Sequence, residues 1–175
     1  MNNFFITGTG TGVGKTFYSI LLAKKYNTQY YKPIQCGIDE IDSETVAKND
    51  IVILPSTYCF KTPSSPHFAA KQENIEIDIN KLIKNFDKPT IVEGAGGVLV
   101  PINRNQFMID VIKYFDLPTI IITTGIVGTI NHTLLTINAL KNANVNIEGV
   151  IVNGEASFDN IEAIKYYGKV NIIDL

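Results

Sequence analysis

The chain alternates short, continuous apolar runs with longer segments in which apolar residues recur every three to four positions. A continuous apolar run bounded by turn residues is typical of a strand buried on both faces, and the longer recurrence is typical of an amphipathic helix. The pattern predicts strands within residues 4–7, 29–32, 89–97, 118–123, 148–153 and 170–173, and helices at 17–26, 79–86, 108–115, 128–142 and 159–167. Residues 51–54 fit a strand or the end of a buried helix, residues 38–50 are polar and acidic, and residues 62–67 form a loop.

The alternation of strands and helices predicts the fold class. Continuous apolar strands joined by helices indicate a doubly wound α/β fold, with a mostly parallel sheet covered on both faces. A length of 175 residues without repeats or linkers suits one domain spanning residues 1–175. Ligands of such sheets bind beyond the carboxyl ends of the strands, so the loops after residues 7, 32, 93, 123 and 153 are candidate functional loops.

Composition narrows the expected partners and location. The net charge of −2 gives no basic face, so nucleic acid is not expected as a partner. Cys36 and Cys59 have no neighbours at metal-binding spacing, so we expect free thiols in a reducing compartment. The first residues lack a signal-peptide pattern and no apolar run is long enough to span a bilayer. These features predict a cytoplasmic protein without a membrane partner.

The segment ITGTGTGVGKT at residues 6–16 has the features of a phosphate-binding loop between a strand and a helix. Its four glycines, Gly8, Gly10, Gly12 and Gly14, free the backbone to point N–H groups at phosphate oxygens. Lys15 can reach the β- and γ-phosphates, and the Thr16 hydroxyl can ligate Mg²⁺. The loop is a variant of G-x-x-x-x-G-K-[ST], because the first position falls on Thr9, and the alternative is a chance glycine turn. Arg104 is the only arginine, so lysines, backbone N–H groups and a metal must carry most of the phosphate charge.

Two further strand ends carry candidate chemistry. Glu93 lies at the end of a buried strand in TIVEGAGG, where an acid is suited to hold Mg²⁺ and the glycines allow close approach of a ligand. The alternative is an incidental Glu in a capped turn. Lys32 in YKP could point at the same pocket or be an ordinary surface lysine. Asp50 is one of several acids in a generally acidic segment, with Asp39, Glu40, Asp42 and Glu44.

The remaining polar candidates have ordinary structural explanations. His67 and His132 are lone histidines and are expected to be structural hydrogen-bonding residues. The segment GTINH at 128–132 opens a helix, so its free N–H groups could bind a carboxylate. Thr129 could equally serve as an ordinary N-cap residue.

Six motifs in chain order resemble those of the dethiobiotin synthetases: TGTGTGVGKT, YKPIQCG, SSPH, VEGAGGVLVP, GTINHTLLT and VN at 152–153. The resemblance covers most of the chain and implies a P-loop NTPase-like fold. It also implies a reaction, in which 7,8-diaminononanoate takes up CO₂ and the carbamate attacks the γ-phosphate of ATP. The second amine then closes the ureido ring and expels phosphate, so the phosphate serves as a leaving group in a synthesis.

The resemblance also implies roles for individual residues. Lys32 would be the catalytic lysine beside the carbamate, assisted by Lys15, and Thr16, Asp50 and Glu93 would hold Mg²⁺. The nucleotide would be bound by Gly12, Val13, Gly14, Lys15, Thr16, Phe17, Glu93, Gly94, Ala95, Gly96, Asn153 and Gly154. The substrates would be bound by Thr11, Lys32, Cys36, Gly97, Gly128, Thr129, Ile130 and Asn131. Cys36 stands where the family usually carries a hydroxyl residue, and a thiol is a weaker hydrogen-bonding group.

The family is homodimeric, and the resemblance implies that the helix starting at GTINH meets the substrate carboxylate across the subunit interface. Asn153 and Gly154 match the segment that contacts the base. Family members usually continue beyond the position of KVNIIDL, so a smaller or more open base pocket is expected here.

Three other functions share parts of the pattern. A partition or division-site ATPase would carry an extra lysine near the start of the loop, where residues 7–11 are TGTGT. A GTPase switch would carry N-K-x-D, but Asn80 and Lys81 are followed by Leu and Ile. A small-molecule kinase gives no clear role to EGAGG and YKP.

Overall fold

A six-stranded parallel sheet forms the centre of the computed structural model, which describes residues 2–39 and 41–175. The strands are β1 (Phe4–Gly8), β2 (Gln29–Tyr31), β3 (Ile34–Cys36), β4 (Ile53–Leu54), β5 (Tyr58–Phe60), β6 (Thr90–Gly97), β7 (Thr119–Thr124) and β8 (Ile147–Asn153). The helices are α1 (Lys15–Tyr26), α2 (Asp42–Ala47), α3 (Pro66–Gln72), α4 (Met108–Phe115), α5 (Thr129–Asn142) and α6 (Phe158–Gly168), with a 3₁₀ turn at Ile79–Lys81.

The strand order of the sheet is β4-β2-β6-β1-β7-β8, and β3 and β5 pair separately in a two-stranded sheet. All of these pairs are parallel. The carboxyl ends of β1, β2, β6, β7 and β8 therefore lie at one edge of the large sheet. The phosphate-binding loop follows β1 at this edge, between the ends of β6 and β7.

Hydrophobic side chains cover both faces of the sheet, as the predicted doubly wound α/β class requires, and this prediction is confirmed. Along β1, Phe5 packs in one core cluster and the next residue, Ile6, packs in the other. Alternation places successive strand side chains on opposite faces, so both must be buried. Helix α1 covers the face of Ile6 through Leu22, and α4 covers the face of Phe5 through Ile112.

The helix predicted over residues 79–86 is wrong, because only Ile79–Lys81 form a single 3₁₀ turn. The Asp78 side chain accepts a hydrogen bond from the Asn80 N–H, and the chain is already extended at Leu82. The Ile83 N–H then donates to the Tyr31 hydroxyl at 3.1 Å. The hydroxyl of Tyr31 on β2 therefore accepts from a backbone N–H, that of Ile83, which a helix would have paired internally.

Other boundaries differ in smaller ways. The strand predicted at 170–173 is wrong, since an isolated bridge between Val150 and Ile172 takes its place. The acidic segment contains α2, and α3 begins at Pro66 within the predicted loop, where proline suits the first helical position. The ambiguous segment at 51–54 contains β4. Among the helices of the described residues, none has both the length and the apolar character required to cross a membrane.

Candidate active site

The loop between β1 and α1 presents free backbone N–H groups at the sheet edge. Gly12 and Gly14 have φ angles of 74° and 99°, in the left-handed region that favours glycine. Gly14 is the N-cap of α1, and no side chain among the described residues caps this helix end. The Lys15 ammonium donates to the Gly10 carbonyl oxygen at 2.8 Å and is buried inside the loop. The arrangement is suited to an anion, because helix N-termini offer both donors and a favourable dipole.

Glu93 is the central carboxylate of the site and is 1% exposed on β6. Its Oε1 atom accepts hydrogen bonds from Thr16 Oγ1 and Lys32 Nζ, both at 3.0 Å. Its Oε2 atom accepts from Ser19 Oγ at 2.7 Å. Three different segments, α1, β6 and the end of β2, thus meet at one buried carboxyl group.

Asp42, the first residue of α2, is the second carboxylate of the cluster. Its Oδ1 atom lies 2.7 Å from Thr16 Oγ1, so the single Thr16 proton is shared between Asp42 and Glu93, and its Oδ2 atom forms an ion pair with Lys32. Lys32 is 6% exposed and bridges Asp42 and Glu93. The structure therefore brings Thr16, Glu93 and Lys32 together, with Asp42 as an unpredicted fourth member.

The charges of this cluster shift its pKa values. Burial lowers the pKa of Lys32, but Glu93 and Asp42 outweigh burial and the net pKa lies above the ordinary lysine value. Burial raises the pKa of Asp42, but the Lys32 charge and the hydrogen bonds from Lys32 and Thr16 outweigh it and the net pKa is lowered. Burial dominates at Lys15 and lowers its pKa, because Glu93 offsets that effect only in part. Lys32 and Asp42 are therefore both charged at neutral pH.

Asp50 lies apart from this cluster. It is exposed in a turn after α2 with a φ of 62°, and it lines a cavity with Lys24, Gln29 and Lys88. Gln29 begins β2 and Lys88 precedes β6, so this cavity is at the amino ends of those strands. The acid that the structure places beside Thr16 and Glu93 is Asp42, which corrects the assignment of Asp50.

A small cleft of about 230 Å³ opens beside Lys32 and Asp42. Thr11 and Cys36, both predicted substrate contacts, line it together with Ser64 and Ser65. Burial raises the pKa of the Cys36 thiol to about 11 even though the Lys32 charge lowers it. Cys36 therefore presents a neutral thiol, and the two serines add hydroxyl groups to the wall.

The glycine-rich end of β6 lets its backbone approach the phosphate-binding loop. Gly97 pairs with Gly8 of β1, and a Cβ atom at Gly96 would lie 2.7 Å from Val100. Gly96 also has a φ of 65°. Ala95 and Gly96 line the cleft, whereas Gly94 packs against Phe5 and Met108 in the core. The exposed Phe17 ring packs edge-on against Tyr18.

Asn153, at the end of β8, contacts the phosphate-binding loop directly. Its Nδ2 atom donates to the Val13 carbonyl oxygen at 3.1 Å, and a Cβ atom at Gly14 would lie 2.5 Å from that same nitrogen. Gly154 follows in an exposed turn with a φ of 80°. The structure therefore places these two predicted nucleotide contacts next to the loop.

The start of α5 is an uncapped helix end outside the cleft of Lys32. Gly128 is its N-cap, with a φ of 92°, and no side chain in the described part of the chain caps the helix. The Thr129 hydroxyl instead shares a hydrogen bond with Thr123 at 3.2 Å, so Thr129 is not the N-cap. Ile130 and Asn131 follow in the first turn, and the preceding Ile126 and Val127 are strongly exposed. These four predicted substrate contacts, Gly128, Thr129, Ile130 and Asn131, are absent from the residues lining the cleft.

Four residues of the site were not assigned from the sequence: Asp42, Ser19, Ser64 and Ser65. Ser64 and Ser65 stand in the SSPH motif, which is the signal that could have indicated them. Ser19 lies three residues after Thr16, a spacing that places both on one helix face. Asp42 has no distinguishing signal among the neighbouring acids.

Comparisons with known proteins bear on the family and the fold of the chain. The AAA domain family model matches residues 2–173. The ATP-dependent dethiobiotin synthetase BioD of Lawsonia intracellularis (strain PHE/MN1-00) is 47% identical over 172 residues, covering 97% of this chain and 85% of the relative. The protein of the same name from Paramagnetospirillum magneticum is 41% identical, covering 99% and 86%. A ParA family ATPase from Chlorobium tepidum TLS superposes with a TM-score of 0.60 at 12% identity, covering 98% and 83%, which shows the fold alone.

Proposed function

The chain belongs to the family of ATP-dependent dethiobiotin synthetases, within the AAA domain family, and from this premise we propose how its residues share the reaction. The enzyme is an ATP-dependent ligase of biotin biosynthesis. It carboxylates 7,8-diaminononanoate with CO₂ and transfers the γ-phosphoryl group of ATP to the carbamate. The second amine attacks the resulting carbamic-phosphoric anhydride, closes the ureido ring and releases phosphate beside ADP.

The phosphate-binding loop and the start of α1 would hold the triphosphate. The backbone N–H groups of residues 12–17 would donate to the phosphate oxygens at the N-terminus of α1, where the helix dipole favours negative charge. Lys15 would exchange its bond with the Gly10 carbonyl for the β- and γ-phosphates. Phosphoryl transfer depends mainly on positioning and charge stabilisation, which this loop supplies without an arginine.

The hydroxyl of Thr16 and the carboxylates of Asp42 and Glu93 fit a Mg²⁺ ion. All three supply hard oxygen donors, and both carboxylates lie within hydrogen-bonding distance of the Thr16 hydroxyl. In the described part of the chain, no three His, Cys, Asp or Glu side chains form a metal cluster. Mg²⁺ commonly takes one or two carboxylates together with substrate phosphate and water, and Asp42 and Glu93 supply two. When bound, Mg²⁺ would neutralise charge on the phosphate oxygens.

Lys32 would be the catalytic lysine. Its ammonium lies at the wall of the cleft, and the same side chain contacts the two carboxylates of the proposed metal site. Because its pKa is raised, it stays charged and can stabilise the carbamate and the transferred phosphoryl group. The diamine would lie in the cleft against Thr11 and Cys36 and extend toward Gly97, which lines the neighbouring groove that also contains Thr11.

A homodimer would complete the substrate site. A groove of about 430 Å³ lies between the phosphate-binding loop, the segment after β6 and α5, and it is lined by the exposed Leu99 and Leu135. Exposed apolar surface of this kind is typical of a protein interface. A second copy seated there would bring its own uncapped α5 start, at Gly128, to the carboxylate end of the diamine.

The base would lie near Asn153 and Gly154, next to the phosphate-binding loop. The free thiols of Cys36 and Cys59 support a cytoplasmic location. We regard residues 1–175 as one P-loop α/β domain, because the proposed contacts come from β1 at one end of the chain and β8 near the other.

The observation that carries the proposal is the position of Lys32, between two carboxylates and the cleft. The test measures phosphate release with Mg²⁺, ATP and bicarbonate, with and without 7,8-diaminononanoate, and repeats it with GTP and CTP. Release that depends on the diamine is expected. Slow release that ignores the diamine with every nucleotide would contradict the proposal and favour a partner-switching ATPase.

A further inference from the structure

The two oxygens of Glu93 have different surroundings. Oε1 faces Thr16 and Lys32, whereas Oε2 faces the interior of the protein and accepts from Ser19 at 2.7 Å. We propose that Ser19 is a positioning residue that holds Glu93 with Oε1 alone directed at the metal, and so sets the preference of the site for Mg²⁺. This inference rests on the proposed function and deepens it.

The contact between Ser19 and Glu93 is shielded from water. Ser19 is 0% exposed and the side chain of Glu93 is 0% exposed. A hydrogen bond to a charged group in such surroundings is stronger than an ordinary one, and water is not available to replace it. The bond therefore fixes the rotation of the carboxylate about its last torsion, which is otherwise soft.

The helix places Ser19 for this role. Thr16 and Ser19 are three residues apart on α1, so both hydroxyls project from one face toward β6. Thr16 contacts Oε1 and Ser19 contacts Oε2, which fixes the carboxylate at both atoms from one rigid element. Of the two oxygens, only Oε1 then faces the side of Thr16 and Lys32 on which the proposed cation would bind.

Cations differ in how many oxygens of one carboxylate they bind. Mg²⁺ requires near-octahedral geometry at short distances, which suits a single carboxylate oxygen. Ca²⁺ accepts six to eight ligands and readily takes both oxygens of a carboxylate. By occupying Oε2, Ser19 would deny Ca²⁺ the second oxygen of Glu93 and leave Mg²⁺ binding intact.

The alternative is a purely structural serine that only satisfies a buried charge. In that case Ser19→Ala would lower the stability of the fold and weaken both cations equally. The ratio of Mg²⁺ to Ca²⁺ affinity distinguishes the two roles, because a loss of stability by itself does not change it.

The test uses the full chain with a non-hydrolysable ATP analogue and measures Mg²⁺ and Ca²⁺ affinity by titration calorimetry. In Ser19→Ala, Mg²⁺ affinity is expected to fall about tenfold, the size typical for loss of a hydrogen bond to a metal ligand. Ca²⁺ affinity should fall less, so the preference for Mg²⁺ declines. Thr90→Val is the matched control, since it removes a buried hydroxyl at the other end of β6 and should leave both affinities unchanged.

Thermal unfolding of each variant checks that it is folded, and Ser19→Cys, with similar size and a weaker donor, replaces Ser19→Ala if the alanine variant does not fold. An unchanged affinity ratio in a folded Ser19 variant would overturn the inference and leave the proposed function standing. Wild-type protein that binds neither cation with the nucleotide would overturn the inference together with the proposed metal site.

Discussion

Lys32 Nζ and Glu93 Oε1 lie 3.0 Å apart, and both side chains are almost completely buried. Lys32 directly follows β2 and Glu93 lies on the neighbouring β6, so the pair is fixed by the sheet itself. Asp42 adds a second negative charge from α2. A buried cation held between two carboxylates contributes little net stability in general, but it is strongly positioned.

We expect Lys32→Met to lower kcat strongly while the protein remains folded. Loss of the ammonium should reduce kcat by about 10²–10³, the range measured when one charge-stabilising donor is lost. It should also lower the free energy of unfolding by about 3–5 kcal/mol, because the buried Glu93 carboxylate and the partly buried Asp42 carboxylate lose their partner. Steady-state kinetics and urea denaturation measure the two effects. Lys113→Met, at an exposed lysine on α4, should change neither, and a Lys32→Met enzyme with normal kcat would exclude a catalytic role.

Asp42→Asn and Asp50→Asn separate the two candidate metal acids. Asp42→Asn removes the charge beside Thr16 and should weaken Mg²⁺ binding about tenfold or more. Asp50→Asn should leave Mg²⁺ binding and kcat unchanged, since asparagine tolerates the left-handed backbone found there. Titration of activity against Mg²⁺ concentration measures both. The reverse result would restore the assignment made from the sequence.

The two cysteines should differ in reactivity toward iodoacetamide. At pH 8 a thiol with a pKa of about 11 is about one-thousandth thiolate, and the thiolate is the reactive form. Cys36 is also partly buried, whereas Cys59 is exposed. Mass spectrometry should therefore find Cys59 labelled first, with Cys36 labelling about ten times faster for each unit of pH up to about 10.

Substrate protection supplies the control for this labelling. A non-hydrolysable ATP analogue with the diamine should slow the labelling of Cys36 further and leave Cys59 unaffected, since only Cys36 lines the cleft. Rapid labelling of Cys36 at pH 8 would contradict both its partial burial and its raised pKa.

The adjacent tyrosines of β2 offer a matched pair for stability. The Tyr30 hydroxyl is buried beside the Glu93 carboxylate but forms no hydrogen bond of ordinary geometry among the described residues. The Tyr31 hydroxyl bonds with Thr57 Oγ1 and accepts from the Ile83 N–H. Tyr31→Phe should lower the free energy of unfolding by about 1–2 kcal/mol, whereas Tyr30→Phe should leave it unchanged or slightly higher. Equal losses in urea denaturation would show that Tyr30 has a partner.

The sequence predicted the sheet well because its strands are buried on both faces. Ile91 and Ile121 are both completely buried, and the residues beside them in each strand are buried on the opposite face. Because both faces need apolar side chains, each strand reads as a continuous apolar run. The phosphate-binding loop could be predicted because its residue types are specific. A left-handed helix N-cap favours glycine at position 14, and phosphate and Mg²⁺ binding favour Lys15 and Thr16.

Other features depend on tertiary contacts that no local pattern contains. Ile79, Leu82, Ile83 and Phe86 have helical spacing, but the segment after the 3₁₀ turn is extended and bonds with Tyr31. Asp42 is equivalent to its acidic neighbours in sequence. Asp42 differs from them because it begins α2 next to Lys32. The packing of α2 on α1 and β2 sets that position.

If this site makes dethiobiotin at the expense of ATP, dethiobiotin and phosphate must form together. The most direct measurement uses ¹³C-bicarbonate with ATP, Mg²⁺ and 7,8-diaminononanoate, and quantifies labelled dethiobiotin and phosphate in the same reaction. One dethiobiotin, with ¹³C in its ureido carbon, is expected for each phosphate released, and Lys32→Met should lose both products. Phosphate released without labelled dethiobiotin would contradict the proposed function.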